Sequence, residues 1–243
     1  MVGDRPVLVA PAPFGGDLRA PVAAAAIGRG LEAAGLRPPT LRPVTSGGAG
    51  TIEVLLPALG GETGAGFALI EDGATALVEP AATPEETAER LTAAAATGPA
   101  VAVLAAADAG VAHAAAALEA AGDLAGARRV VLTGPGEAPD LPLGVLAERG
   151  TRFVLDALDL DADLRAARAL VVGIGRLDER ALRGAVEGEL AVRARQAGVP
   201  CHAVVGQNAL DLFSTRILDL QRIVTASSAA GLEDASAGLA DVI

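Results

Sequence analysis

Short runs of β-branched residues and leucine alternate along this chain with longer alanine-rich stretches at helical spacing. No other feature limits the fold as much. Strands that alternate with helices are joined by crossovers, and crossovers lead to a mainly parallel sheet with helices on its faces. The chain therefore reads as an α/β protein, three-layer and Rossmann-like. The pattern predicts strands over 7–10, 40–44, 67–70, 74–78, 101–104, 130–133, 152–155, 169–172, 201–205 and 222–225. Helices are predicted over 21–34, 51–59, 83–96, 111–121, 143–149, 161–167 and 179–196, with a last short one capped by Ser227 or Ser228. Glu71-Asp72-Gly73 joins two of the strands as a hairpin. Thr51 and Thr83 stand where a hydroxyl can cap a helix, and Pro84, Glu85 and Glu86 strengthen the second of these starts.

Composition narrows the function. Apolar residues are 51% of the chain but aromatics only 2%, with no Trp or Tyr, so the core is built from Ala, Val and Leu packed closely. A net charge of −11 and the absence of any basic stripe exclude a nucleic-acid surface, and four Phe are too few for a base-stacking platform. Every one of the 19 basic side chains is arginine, which excludes Schiff-base and lysine-nucleophile chemistry. Cys201 is the single cysteine, so no intramolecular disulfide forms, and the apolar run 199–205 marks it as a small core residue. The alanine-rich stretch 99–122 carries Asp108, His113 and Glu119 and is not a membrane span. No apolar leader segment follows Met1, so the expectation is a soluble cytoplasmic protein.

Three glycine-rich segments carry the site: Pro11-Ala12-Pro13-Phe14-Gly15-Gly16-Asp17-Leu18, Val44-Thr45-Ser46-Gly47-Gly48-Ala49-Gly50-Thr51, and Val172-Gly173-Ile174-Gly175-Arg176-Leu177-Asp178, the last followed by Gly184-Ala185. In this order they resemble the bacterial glycerate kinase family, whose members read A-P-D-S-F-K-G-S-L, M-A-D-G-G-E-G-T and T-G-E-G-R-L-D, then G-K. The glycines match, as do Phe14, Thr51, Arg176, Asp178 and Gly184. The family's charged and hydroxyl positions fall on Ala12, Pro13 and Gly15 in the first segment, on Ser46 and Ala49 in the second, and on Ile174 and Ala185 in the third. The resemblance is best over 5–80 and 155–230. It implies a second domain inserted between those regions, and the short connection here implies that most of it is missing. The whole chain, 1–243, is then one Rossmann-like domain with 97–153 as a possible remnant of the insertion. Gly134-Pro135-Gly136 loosely matches a family strand-end motif, and Glu137-Ala138-Pro139-Asp140 departs from it.

Two readings of the site stay open. Backbone N–H groups of a glycine loop at a helix start can cradle an anion, and the same glycines can serve as tight turns. On the first reading the ligand-binding residues are Ser46, Gly47, Gly48, Gly50 and Thr51, with Gly173, Gly175, Arg176 and Asp178. Arg176 is the clamp for a carboxylate or phosphate, and Asp178 caps the following helix. The ligand is a small organic anion or phosphate. With its charged positions lost, the chain is expected to have lost phosphoryl transfer, to need no cofactor, and to serve as an anion binder or assembly partner. The alternative is an active kinase of glycerate or a related hydroxy acid using ATP and magnesium, with Asp17, Asp140 or Asp178 as displaced acids. No catalytic residue is assigned. No metal site is expected: His113 and His202 lack partners at ligand spacing, and Asp156, Asp159, Asp161 and Asp163 read as solvated or capping acids. His202, alternating with apolar residues, is expected to be half-buried and hydrogen-bonded. Loss of a partner domain would expose an apolar surface, so a homo-oligomer is expected. Neither nucleic acid nor membrane is an expected partner.

Overall fold

The computed structural model describes residues 5–135 and 140–243. The chain enters through strand β1 (Val7–Pro11), helix α1 (Ala20–Ala33) and the two-residue strand β2 (Thr40–Leu41). Next come α2 (Thr51–Leu59), β3 (Glu62–Thr63), β4 (Phe67–Ile70), β5 (Thr75–Val78), α3 (Pro84–Ala95), β6 (Val101–Leu104), α4 (Val111–Ala121), β7 (Arg128–Thr133), β8 (Val145–Arg149) and α5 (Gly150–Ala157). The last third holds α6 (Leu160–Ala166), β9 (Ala169–Leu177), a 3-10 turn at Glu179–Arg183, α7 (Val186–Ala197), β10 (Cys201–Asn208), α8 (Leu212–Ile217), β11 (Leu220–Thr225) and α9 (Ala229–Ala237).

These elements form two compact units. The first joins the chain up to Val44 with Asp159–Ile243, and the second is Thr45–Leu158. One domain was expected over 1–243, with 97–153 as a possible remnant; each unit has a sheet and an apolar core of its own, and the second runs from Thr45 to Leu158.

In the first unit five strands lie in the order β11-β10-β9-β1-β2, all parallel. Helices α1 and α9 pack together over the face carrying Val7, Val9, Val171 and Val204. Leu8, Leu170, Val172 and Ala203, which alternate with those residues, are buried as well, and α7 packs on β9 and β10. A sheet buried on both faces explains the near-continuous apolar runs of its strands. In the second unit six strands run β3-β4-β5-β6-β7-β8, parallel from β5 onward. Alanines carry much of its core: Ala76, Ala94, Ala102, Ala114 and Ala117 pack with Phe67, Leu91, Leu104 and Leu118. Small side chains let α3 and α4 sit close to the sheet and to each other. The mixed α/β, mainly parallel architecture is as expected. Among the described residues no helix is long and apolar enough to cross a membrane.

Several elements differ from expectation. Residues 143–149 were expected as a helix and 152–155 as a strand, but β8 and α5 reverse that order. The helix over 179–196 is split, since Gly184 at φ +93° ends the 3-10 turn before α7 begins. Helix α8 was not foreseen. Thr51 is the first residue of α2 rather than its cap: Gly50 occupies the cap, and the Thr51 hydroxyl donates to the Gly48 carbonyl at 2.6 Å. Thr83 does cap α3, accepting from the Glu86 N–H, and Ser228 caps α9. Gly136, Glu137, Ala138 and Pro139 lie outside the described residues.

Candidate functional site

The first unit places two of the glycine segments, and the second unit one, at the C-terminal ends of their parallel strands, where open α/β sheets bind ligands. In the first unit Gly173 and Gly175 are not in a strand-to-helix turn as expected. They lie within β9, which runs on to Leu177 and pairs with β10 as far as Asn208. Close packing requires glycine at 175: a Cβ there would collide with the Phe14 backbone. The first segment thus folds across the end of β9, with the Phe14 N–H bonded to the Leu18 carbonyl.

Past these glycines β9 presents Arg176, and Asp178 follows the strand end at Leu177. The Arg176 guanidinium donates to Gln207 Oε1 at 2.6 Å and lies 3.4 Å from Asp178 Oδ2. Asp178 caps the 3-10 turn as expected, accepting from the Arg180 N–H at 3.0 Å and from the Arg180 side chain at 3.1 Å. Partial burial raises the Asp178 pKa, but the Arg180 hydrogen bonds and the charges of Arg180 and Arg176 outweigh it, and the carboxyl sits below its usual range. The cluster is two guanidiniums around one carboxylate, half-exposed and net positive. Glu187, in the first turn of α7, is 5% exposed, and that burial pushes its carboxyl above the usual range despite the Arg180 charge. The sequence marked Arg176 and Asp178 but missed Arg180 and Glu187. The only signal for Glu187 is an acid placed between the apolar residues of a helix start.

In the second unit the loop Ser46–Thr51 opens α2, as expected of an anion cradle, but the N–H groups of Gly47, Ala49 and Ile52 are already engaged. The Ala49 N–H bonds Asp108 Oδ2 at 3.0 Å, the Ile52 N–H bonds Glu79 Oε1 at 2.9 Å, and the Gly47 N–H bonds Thr45 Oγ1 at 3.2 Å. Asp108 and Glu79 follow β6 and β5, so two strand ends deliver carboxylates to the helix start, where the dipole favours them. Gly48 makes room for this, since a Cβ there would overlap the Asp108 carboxylate. Gly47 crosses Gly150 at the start of α5 so closely that a Cβ on Gly150 would collide with the Ser46 carbonyl. Ser46 is part-buried, and Thr51 is buried with its hydroxyl 3.1 Å from Thr45 Oγ1.

The two histidines separate. His113 Nε2 lies 2.9 Å from the Thr87 hydroxyl. His202 is corrected: it is 2% exposed rather than half-buried, and neither ring nitrogen has a hydrogen-bond partner. Burial lowers its pKa. Cys201 is buried as expected, and burial pushes its thiol up to about 12. Among the described residues no group of three or more His, Cys, Asp or Glu could hold a metal ion.

Comparison with known proteins points to the same family as the third segment. The chain is 30% identical over 103 residues to uncharacterized proteins Mb2228c of Mycobacterium bovis and MT2261 of Mycobacterium tuberculosis, a match covering 40% of this chain and 27% of each relative. It therefore spans just over a quarter of the length of these curated relatives. A crystal structure described as "putative glycerate kinase 2" from Salmonella typhimurium LT2 superposes with a TM-score of 0.73 at 16% identity, over 98% of both chains, and so shares the fold. The model of the glycerate kinase family matches residues 98–239, which takes in the Gly173–Asp178 segment but not the two N-terminal ones. With more than half of its length matched by that model, the chain belongs to the glycerate kinase family.

Proposed function

We propose that this family member binds a small organic anion at the strand ends of its first unit and does not transfer phosphoryl groups. The observation that carries this reading is the loss of charge where phosphoryl transfer needs it. That chemistry draws on acids for magnesium, a cation over the phosphates and a group that orients the hydroxyl. Ala12, Pro13, Gly15, Ser46, Ala49, Ile174 and Ala185 stand at the positions the family resemblance assigns to these roles. At the 46–51 loop a free phosphate would meet the carboxylates of Asp108 and Glu79, which accept from the Ala49 and Ile52 N–H groups. What remains is the net-positive cluster of Arg176, Asp178 and Arg180, whose guanidinium forks suit a carboxylate.

Calorimetric titration with glycerate, phosphate and ATP tests the binding. Arg176→Ala removes a charge-assisted bond contributing roughly 1.5–3 kcal/mol, so affinity for the anion falls about tenfold to a hundredfold. The melting temperature stays within a degree or two, because the side chain is half-exposed. Absence of heat and of thermal shift with all three ligands removes the binding reading. A second reading, an active kinase of glycerate or a related hydroxy acid, draws support from Asp108 and Glu79, which return two carboxylates to a loop that has lost its own. A coupled ATP-consumption assay with D-glycerate decides between them. Turnover of about one per second or faster establishes the kinase.

A further inference from the structure

Helix α8 buries none of its residues. Leu212 is 82% exposed, Phe213 73% and Ile217 45%, in a chain with only four Phe. Beside it β11 is the edge strand of the sheet, paired to β10 alone, and most of its residues are exposed or part-buried. A groove of about 850 Å³ runs between them, lined by α8 and by Leu220, Gln221, Arg222 and Ile223. Large apolar side chains held out on a helix, next to an unpaired strand edge, mark an interaction surface.

We propose that this surface is where a second copy of the chain docks, with β11 pairing antiparallel to β11 of the copy and α8 closing over the junction. Charge and symmetry identify the occupant. The molecule carries −11 overall, so most of its surface repels a copy. This patch is balanced instead, with Asp211 and Asp219 set among Arg216 and Arg222. A two-fold axis turns such a patch onto itself with acids against bases. An edge strand is self-complementary in the same operation, because a two-fold axis perpendicular to the sheet makes the two edges antiparallel. Passing near Ile223, that axis sets Ile223 beside its counterpart and Arg222 opposite Val224, so no two arginines face each other.

Light scattering and sedimentation of the full chain across a micromolar dilution series test the proposal. The wild type is expected to reach twice the monomer mass. The double variant Leu212→Asp/Phe213→Asp is expected to remain monomeric with an unchanged circular dichroism spectrum, since neither side chain is part of the core. Ile223→Cys supplies a cross-link, read against a silent background because Cys201 is buried. Mild oxidation should give a disulfide dimer in that variant and none in the wild type. A wild type that is monomeric at every concentration overturns the proposal. So does a dimer indifferent to the two aspartates, or an I223C chain that stays uncross-linked.

Discussion

His202 enters the sheet with both ring nitrogens unpaired, giving up hydration without replacement at a cost of about 1–3 kcal/mol for each buried polar group. Its folded pKa lies below the ordinary 6.5, so the unfolded chain takes up a proton first. Stability from this group is fully present above 6.5 and is lost as pH falls from there through the folded value. His202→Leu should leave stability at pH 8 equal or higher and should flatten the decline between about pH 6.5 and the folded pKa, as read by urea unfolding at a series of pH values. A variant less stable than wild type at pH 8 would disprove the unpaired burial. The carboxyl groups act further down the scale: stability from Asp178 is lost below 3.8 as its depressed pKa is crossed, while the raised Glu187 favours the fold at low pH. Cys201, its thiol held near 12, should resist thiol reagents in native protein at neutral pH and react only on unfolding. Alternation along 201–205 made the strand and the buried cysteine legible. The missing partners of His202 were not legible, because they depend on the neighbouring strands β9 and β11.

Elements were readable where a local signal outweighed context. Thr83-Pro84-Glu85-Glu86 and the Glu71-Asp72-Gly73 turn each carry their own geometry, and both stand as expected. The reversal at β8 and α5 shows the opposite case. Leu146, Ala147, Glu148 and Arg149 are good helix formers, yet they form an edge strand exposed along most of its length, where no apolar alternation is required. Phe153, Val154 and Leu155 look like a strand, but Val154 and Leu155 supply the buried side of a helix. The glycine segments of the site were legible through their family pattern. The carboxylates that fill the second loop were not, since Glu79 and Asp108 lie 27 and 59 residues from their N–H partners. Two outcomes follow for that loop. Gly150→Ala should lower stability by about 1–3 kcal/mol, because backbone must shift where α5 crosses the loop. Asp108→Ala should accelerate hydrogen exchange at the Ala49 amide while leaving α3 and α4 protected, since it removes the carboxylate that accepts from that amide. Unchanged exchange at Ala49 would show that the carboxylate does not hold the loop.

At the scale of the whole molecule, a continuous inner stretch, Thr45–Leu158, is flanked by two outer stretches that share one sheet. The inner stretch has its own six-stranded sheet and alanine-rich core. Expressed alone, residues 45–158 should give the circular dichroism of an α/β protein and a single cooperative unfolding transition. A fragment without cooperative melting would contradict its independence. The alternation of strands and helices revealed the fold class but not this division, because both units are built from the same βα pattern and no linker composition separates them.

The pairing of β1 with β9 has a consequence for synthesis. On the ribosome the first strand and α1 emerge early, yet their sheet has no centre until residues 169–177 have been made. The inner unit is complete by then. The N-terminal 44 residues, with the apolar faces of β1 and α1 uncovered, must therefore wait while a whole unit folds behind them. Production of the intact protein in a cell should depend on trigger-type chaperones that shield nascent apolar segments, whereas the inner stretch made by itself should not.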